Sequence, residues 1–583
     1  MSTKHFFADA PSLVIQHLQA LVAANPSLTL IPEDRVIYDA AHDPNTVSLI
    51  SGGGSGHEPA WSGLVGSGLL AAVANGPIFG SPSAKQILKA IDSAPSAKGV
   101  LLIITNYTGD KLHFGLACEK AKAKYASVGI PFAVLPCTDD VALGRKRTGM
   151  VGRRGLAGNV IILKVLGGAA ITGMSFGDLY TLGAAVNTNL VTIGSSLDHC
   201  HVPGRQNHET LSEDVCILGM GIHNEPGLRK LSPLPSAQDL LAEMIAYLVD
   251  PNDEDRAYVS FNDGDEVAML INNFGGLSAL ETGALTFQAL VQLEKWNIKP
   301  SRVFSGSFES SLNGPGFSIS LCNLTNVGKE TGIPTATALE YLDAPTTAPS
   351  WPHPYRSAKP VEVGSVVKTT TNGVATADFE VDSVYLDKII RTACNRAVAA
   401  EPDLTRWDMI MGDGDCGDGV KAVSLDILKV LDRLDSGSLL TALNGIMGAV
   451  DDMGGTLGAI FGILLAALVT SVTKRAASKV ELTVAVWGEC AKEALDSLKS
   501  HTGARVGDRT CMDVLIPFCE TLNSEKTLGA AVAAAKKAAD GTRGMKPRFG
   551  RATYVTTAEG DIPPDPGAWA VYEMVQGLLD ATE

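Results

Sequence analysis

No G-x-x-x-x-G-K-[ST] pattern occurs in this chain, so a P-loop for nucleotide phosphates is excluded. There is no C-x-x-C pair, and the 10 cysteines have no regular spacing. In a chain this long they read as buried thiols of a reducing compartment, not as a disulfide framework. A basic charge balance is missing as well. The formal net charge is −16, which argues against non-specific binding to nucleic acid or anionic membranes. Any phosphate ligand must then be handled locally, by backbone amides or by metal ions on carboxylates. The first residues, "MSTKHFFADAPS", hold no apolar stretch long enough for a secretory signal. The longest apolar run, "AIFGILLAALVTSV" (459–472), is too short to span a bilayer and reads as a buried helix. The last residues, "LLDATE", carry no lipidation signal. The expectation is a soluble, cytoplasmic protein with no nucleic-acid and no membrane partner.

With 45% apolar and 19% charged residues, the chain has the make-up of a folded globular protein. Its 583 residues are too many for one hydrophobic core, so two or three domains are expected. "GVLLIIT" (99–105) and "PFAVLPC" (131–137) are short apolar runs that flank a helical pattern. Together with the glycine turn after "TVSLI", this predicts an α/β layer with largely parallel strands. A second α/β unit is expected around "EDVCILGMGIH" (213–223) and "EVAMLINNFGG" (266–276). "LDAPTTAPSWPHPYRSAKP" (342–360) is rich in Pro, Ala, Ser and Thr and reads as a linker. Beyond about 383 the patterns are helical with almost no strand signal. The boundaries expected are a substrate region over 1–341, a linker over 342–382 and an all-helical region over 383–583.

The helical region opens with "RWDMIMGDGDCGDG", which places Asp408, Asp413, Asp415 and Asp418 close together. One carboxylate suffices to cap a helix, whereas a run bracketed by glycines suits a hard divalent cation. It is not an EF-hand, because Asp418 stands where that loop needs glycine and Ser424 where it needs glutamate. Magnesium that keeps waters and shares phosphate oxygens fits better. "DDMGGTLGAIFG" is a glycine turn running into an apolar helix, suited either to phosphate binding or to close packing. In the first half, "TNYTGD" sets Asp110 after a strand, where a catalytic base and a helix N-cap are equally readable. "GMGIHNEPG" sets His223 between a strand and a turn, and "DHCHVPGR" reads as a loop because nothing completes a tetrahedral metal set.

Taken together, "SGGGSGHEPA", "NYTGD", "VGRRGLAGNV", "GMGIHNEPG", "GFSIS", "DAPTTAPSWP", "GDGDCGDG", "GGTLGAIFG", "GDRT" and "DPGA" resemble the ATP-dependent dihydroxyacetone kinase family in its single-chain, fungal-like form. The resemblance spans nearly the whole chain and includes the triokinase/FMN cyclase relatives. It implies a multidomain fold: two α/β subdomains that bind substrate, then a barrel of eight helices that binds nucleotide. It implies that His223 adds covalently to the carbonyl of a small ketose, giving a hemiaminal. Gly54, Ser55, Gly56, His57 and Thr105 are then the substrate loop residues, and Asp110 with His57 the catalytic partners. Asp408, Asp413 and Asp415 would hold two Mg2+ ions. Asp415, Cys416 and Gly417, Thr456 with Leu457 and Gly458, Gly503, Thr510 with Cys511, and Asp565 with Pro566 and Gly567 would line ATP. The implied assembly is a homodimer in which one subunit's kinase domain faces the other's substrate domain.

Four positions depart from the family pattern. Thr105 stands where a lysine is common, Leu457 where a serine is common, Trp61 where a histidine is usual, and Asp418 adds a charge beside the metal site. The resemblance keeps two alternatives open: a kinase for another ketose such as erythrulose, and a lyase that cyclises FAD at the same nucleotide site. A ketose-sensing regulator is a third class, against which the aspartate run argues.

Overall fold

The computed structural model of the chain describes residues 4–7, 9–146, 152–205, 210–351, 378–412, 414–434, 437–548 and 562–582. It divides into two compact units, Met1–Val363 and Gly364–Glu583.

The first unit holds two six-stranded sheets. One is built from β1 (Leu28–Ile31), β2 (Val36–Asp39), β3 (Ser48–Ser55), β4 (Ala72–Ile78), β5 (Val100–Thr105) and β6 (Phe132–Cys137). Their spatial order is β1-β2-β4-β3-β5-β6. The four strands from β4 to β6 run parallel, as the sequence pattern predicts, and β1 and β2 are antiparallel additions. The other sheet contains β7 (Leu190–Ser196), β8 (Cys216–Leu218), β9 (Arg229–Leu231), β10 (Val267–Asn273), β11 (Arg302–Gly306) and β12 (Gly316–Asn323), in the order β11-β10-β12-β7-β8-β9. Only β10 and β11 pair in parallel there, so the second layer is mainly antiparallel.

Burial explains the uninterrupted apolar runs. In β5, Leu101 and Ile103 enter one core while Val100, Leu102 and Ile104 enter another. Successive side chains point to opposite faces, so a strand covered on both sides needs apolar residues throughout. In β10, Ala268 and Leu270 share the core of Leu101 and Ile103, while Val267, Met269 and Ile271 face the other way. That shared core lies between the two sheets. Truncating Ile103 to alanine there would cost about 2–5 kcal/mol.

Among the described residues nine α-helices complete the unit: α1 (Ala10–Ala24), α2 (Ala84–Ser93), α3 (Thr108–Lys124), α4 (Asn159–Ala170), α5 (Phe176–Thr188), α6 (Ala237–Val249), α7 (Ala279–Glu294), α8 (Leu324–Thr331) and α9 (Thr335–Asp343). Every residue of α4 is buried, which fits its nearly all-apolar sequence. Residues 344–351, at the start of the Pro- and Thr-rich segment, are not free chain. Thr347 and Ser350 bond the backbone near Gly63 and Ser67, and Trp351 packs on Phe304 and Phe308.

The second unit is all helical: α10 (Ser383–Met411), α11 (Cys416–Leu431), α12 (Leu439–Asp451), α13 (Gly455–Ala477), α14 (Val484–His501), α15 (Met512–Glu525), α16 (Leu528–Gly541) and α17 (Pro566–Asp580). Each helix packs on the next, and α17 returns to α10, which closes the ring expected of a helical barrel. Two local expectations change. Helix α10 runs on past Pro402, so Asp408 sits on a helix rather than on the glycine turn. The apolar run lies in α13, which is longer than the run itself and is not a buried helix. Only Gly458, Phe461, Ser471, Val472 and Ala476 are fully buried in it, because neighbours in a ring cover only part of each helix. By length and composition α13 is the one helix among the described residues that could cross a bilayer.

Candidate active sites

The glycine loop "SGGGSGH" is the end of β3 and the turn after it. A Cβ on Gly54 would lie 2.8 Å from the backbone of Phe79 and Gly80, so only glycine allows that approach. Gly56 has φ +96, a conformation that side chains rarely adopt. Ser55 turns inward to donate to the Gly76 carbonyl. This packing delivers His57, buried, to the edge of the sheet.

His223 arrives from the other sheet, after β8. The two rings meet with Nε2 to Nε2 at 3.0 Å. Phe79 stacks on His57 at 5.0 Å, and Tyr107 stands edge-on to His223 at 4.8 Å. The hydrogen bonds fix the protons. His57 Nδ1 is 2.7 Å from the Ser310 carbonyl, which can only accept, so Nδ1 carries the hydrogen. Burial, and then the neighbouring His223, push the His57 pKa down to about 3. His57 is therefore neutral and its Nε2 is an acceptor. On the other side of His223, Nδ1 is 3.0 Å from Glu225 Oε1, and the His223 backbone N–H donates to Glu225 Oε2 at 2.8 Å. Burial works to raise the Glu225 carboxyl, but the hydrogen bonds and charge of His223, with the Arg154 guanidinium, hold it at about 2. An acceptor thus faces each ring nitrogen of His223, the His57 Nε2 on one side and the Glu225 carboxylate on the other.

Asp110 lies in the first turn of α3 and is buried. Thr105, at the end of β5, donates to its Oδ2 at 3.3 Å. The hydroxyl that replaces the family's lysine therefore holds the acid in place. Burial raises the Asp110 carboxyl above its ordinary range, against hydrogen bonds from Ser81 and Thr105 and the charge of His223. Among the described residues, Asp110 Oδ1 and the Tyr107 hydroxyl are buried without a hydrogen-bond partner. Trp61 is elsewhere: it sits in the core behind Gly53, whose Cβ would collide with its indole.

The second site is a cavity of about 840 Å3 in the helical unit. Asp408, Asp415, Cys416, Asp418, Thr456, Leu457, Thr510, Cys511, Asp565, Pro566 and Gly567 line it. Gly417 and Gly458 do not. Gly417 packs on Thr405 and the Glu401 backbone, and Gly458 on the Met453 backbone, so both serve helix packing. Gly503 is outside the lining although Thr502 and Ala504 are in it. Asp413 lies outside the described residues. Asp408 Oδ2 accepts from the Cys416 N–H at 3.1 Å, while Asp415 makes no capping bond at the start of α11. Among the described residues neither carboxylate has an ion-pair partner, and no three His, Cys, Asp or Glu side chains form a metal cage. Carboxylates without an ion-pair partner in a nucleotide-sized cavity suit Mg2+ that shares its ligands with phosphate. Burial lifts the Asp565 carboxyl to about 6, and its Oδ1 caps α17 through the Ala568 N–H.

A family model described as the Dak1 domain matches residues 19–350, and one described as the DAK2 domain matches 410–580. The chain belongs to the dihydroxyacetone kinase family. It is 40% identical to the dihydroxyacetone kinase of Pichia angusta, over 100% of this chain and 99% of that protein. It is 33% identical to the triokinase/FMN cyclase of Mus musculus, over 100% and 99%. It is similar in structure to the dihydroxyacetone kinase from C. freundii in complex with AMP-PNP and Mg2+, with a TM-score of 0.61 and 27% identity over 100% of each chain. As a single-chain member of the dihydroxyacetone kinase family it is an enzyme, a phosphotransferase.

Sequence reasoning missed Glu225, Tyr107, Phe79 and Ser310 in the first site and, in the second, Arg509, which lines the cavity with its guanidinium 3.8 Å from Asp565. Glu225 was readable, because a carboxylate two residues past a loop histidine can orient its ring. Phe79 and Ser310 carry no local signal, since their roles come from distant chain packed against His57.

Proposed function

We propose that this kinase transfers the γ-phosphoryl group of ATP to dihydroxyacetone held covalently on His223. The observation that carries the reading is the relay Glu225–His223–His57. A ketone entering beside the rings meets His223 Nε2, whose proton passes to the His57 Nε2 acceptor. The freed lone pair then forms an N–C bond to the carbonyl carbon. The C=O π pair moves to oxygen, which takes the proton back from His57. One proton has moved from nitrogen to oxygen, and the product is a hemiaminal on a ring that still carries positive charge against Glu225. Only a carbonyl can be captured this way, so glycerol is refused by chemistry rather than by fit.

Asp110, whose carboxyl burial raises above its ordinary range, faces the terminal hydroxyl and accepts its proton as phosphate is transferred. Tyr107 offers its unpaired hydroxyl to the bound sugar. Under this reading Asp408, Asp413 and Asp415 hold two Mg2+ ions, which would neutralise charge on the transferred phosphoryl group. Thr456, Leu457, Thr510, Cys511 and the Asp565–Gly567 turn line the nucleotide. The ketose and ATP meet between subunits of a homodimer.

The test is ATP consumption with dihydroxyacetone, D-glyceraldehyde, erythrulose and glycerol, on wild type and His223→Ala, with the intact mass of the adduct. Turnover of dihydroxyacetone that is lost in His223→Ala, with none of glycerol, is expected. Erythrulose as the best substrate would move the specificity. Absence of any ketose turnover, with FAD cyclised instead by both proteins, would establish the lyase reading suggested by the triokinase/FMN cyclase relatives.

A further inference from the structure

The two histidines belong to different sheets, yet their rings are 3.0 Å apart. Something must fix the distance between their loops. The segment 308–312, between β11 and β12, touches both. On the His57 side, the Ser310 N–H donates to the His57 carbonyl at 3.0 Å, the Leu312 N–H to the Gly56 carbonyl at 2.8 Å, and the Ala60 N–H to the Phe308 carbonyl at 3.1 Å. The Ser310 carbonyl holds His57 Nδ1–H. On the His223 side, the Ser311 hydroxyl donates to the carbonyl of Ile222 at 2.6 Å. On the other flank, the Asn224 amide bonds both the backbone N–H and the carbonyl of Cys200. The residue before His223 is thus tied directly to Ser311.

The segment itself is anchored. Asn272, fully buried on β10, accepts from the N–H groups of Phe308 and Glu309 at 2.8 and 3.0 Å and donates to the Glu309 carbonyl at 2.7 Å. Glu309 Oε2 accepts from Asn159 Nδ2 at 2.7 Å. A rigid five-residue bridge, clamped from below, holds both rings.

We propose that Ser311 is a positioning residue for the reaction: its hydroxyl couples the His223 loop to the segment that carries His57, and so sets the distance over which the relay proton moves. The inference rests on the ketose-capture reading. Ser311 touches neither substrate nor the reacting atoms. Its loss lets the His223 loop settle away from His57 while both rings stay in the site. Capture then slows more than binding, because a displacement of a fraction of an ångström affects proton transfer far more than recognition.

The experiment compares Ser311→Ala with Ser320→Ala. Ser320 is equally buried in β12 and loses one hydroxyl bond, to Thr192, far from both rings. The two variants, Ser311→Thr and wild type are assayed for kcat, KM for dihydroxyacetone, and the rate of adduct formation by intact mass. Spectra of 15N-histidine-labelled protein report the protonation of the His57 and His223 rings. Expected are a drop of at least tenfold in kcat and adduct rate for Ser311→Ala with KM within about twofold, changed ring signals, and recovery in Ser311→Thr. Ser320→Ala should keep wild-type kinetics. Equal kinetics and ring signals in Ser311→Ala and Ser320→Ala, with His223→Ala inactive, would overturn this inference alone. Wild-type turnover by His223→Ala would overturn the capture reading beneath it.

Discussion

Replacing Glu225 by glutamine tests the relay most directly. The amide keeps the shape and can still accept from His223, but the charge is gone. At the observed 3.0 Å, opposite unit charges in a medium of effective dielectric constant ~20 attract by roughly 5–6 kcal/mol. The Arg154 guanidinium offsets part of this, since it also stabilises the carboxylate. What remains is the advantage of a charge-assisted hydrogen bond over a neutral one, about 1–1.5 kcal/mol. The adduct carries positive charge on the ring, so this is lost from the captured state. Adduct occupancy at subsaturating dihydroxyacetone, read by intact mass, should fall by about 5- to 13-fold, and kcat/KM with it. The ATP KM should not change. Adduct occupancy within twofold of wild type would refute the reading that the Glu225 carboxylate stabilises the ketose captured on His223.

Two further outcomes are expected. A His57 ring held at about 3 when folded, against an ordinary value near 6.5, binds its proton only on unfolding. Its contribution to stability is complete above pH 6.5 and shrinks as pH falls, and Glu225 adds its own loss only below its ordinary value of 4.5. Denaturation midpoints of His57→Asn should therefore decline less than those of wild type between pH 6.5 and 4.5; parallel curves would contradict the neutral ring. His223→Ala and Asp415→Ala should each be inactive, while Asp415→Ala still forms the ketose adduct. If sites are completed across a homodimer, exchanging subunits between the two should restore roughly a quarter of wild-type activity; no recovery in verified mixed dimers would place both sites' partners within one subunit.

The chain's own pattern determined a good part of this. The buried strands β5 and β6 and the helices α6, α7, α14 and α16 were legible because apolar spacing follows directly from which faces a core must cover. The glycine loop ending in His57 was legible because only glycine permits such a close backbone approach. The place of Asp408 and Asp415 in the lining of one cavity was legible, since a run of carboxylates among glycines stands out in the chain. Asp408 was read with the glycine turn, because local pattern cannot know that packing on α11 and α17 carries α10 through Pro402 to Met411. Gly417 and Gly458 looked like ligand contacts, yet α10 takes up the space beside the first and the Met453 turn the space beside the second. Trp61 looked like a specificity change and is core. None of the decisive distances could be read from the chain. Glu225 beside His223 is local, but the His57–His223 pair joins residues from two sheets, and Ser310 and Ser311 reach them from a third place in the sequence. Sequence spacing constrains neighbours within an element; which loop ends converge is set by how two sheets pack on one shared core, and only the folded chain decides that.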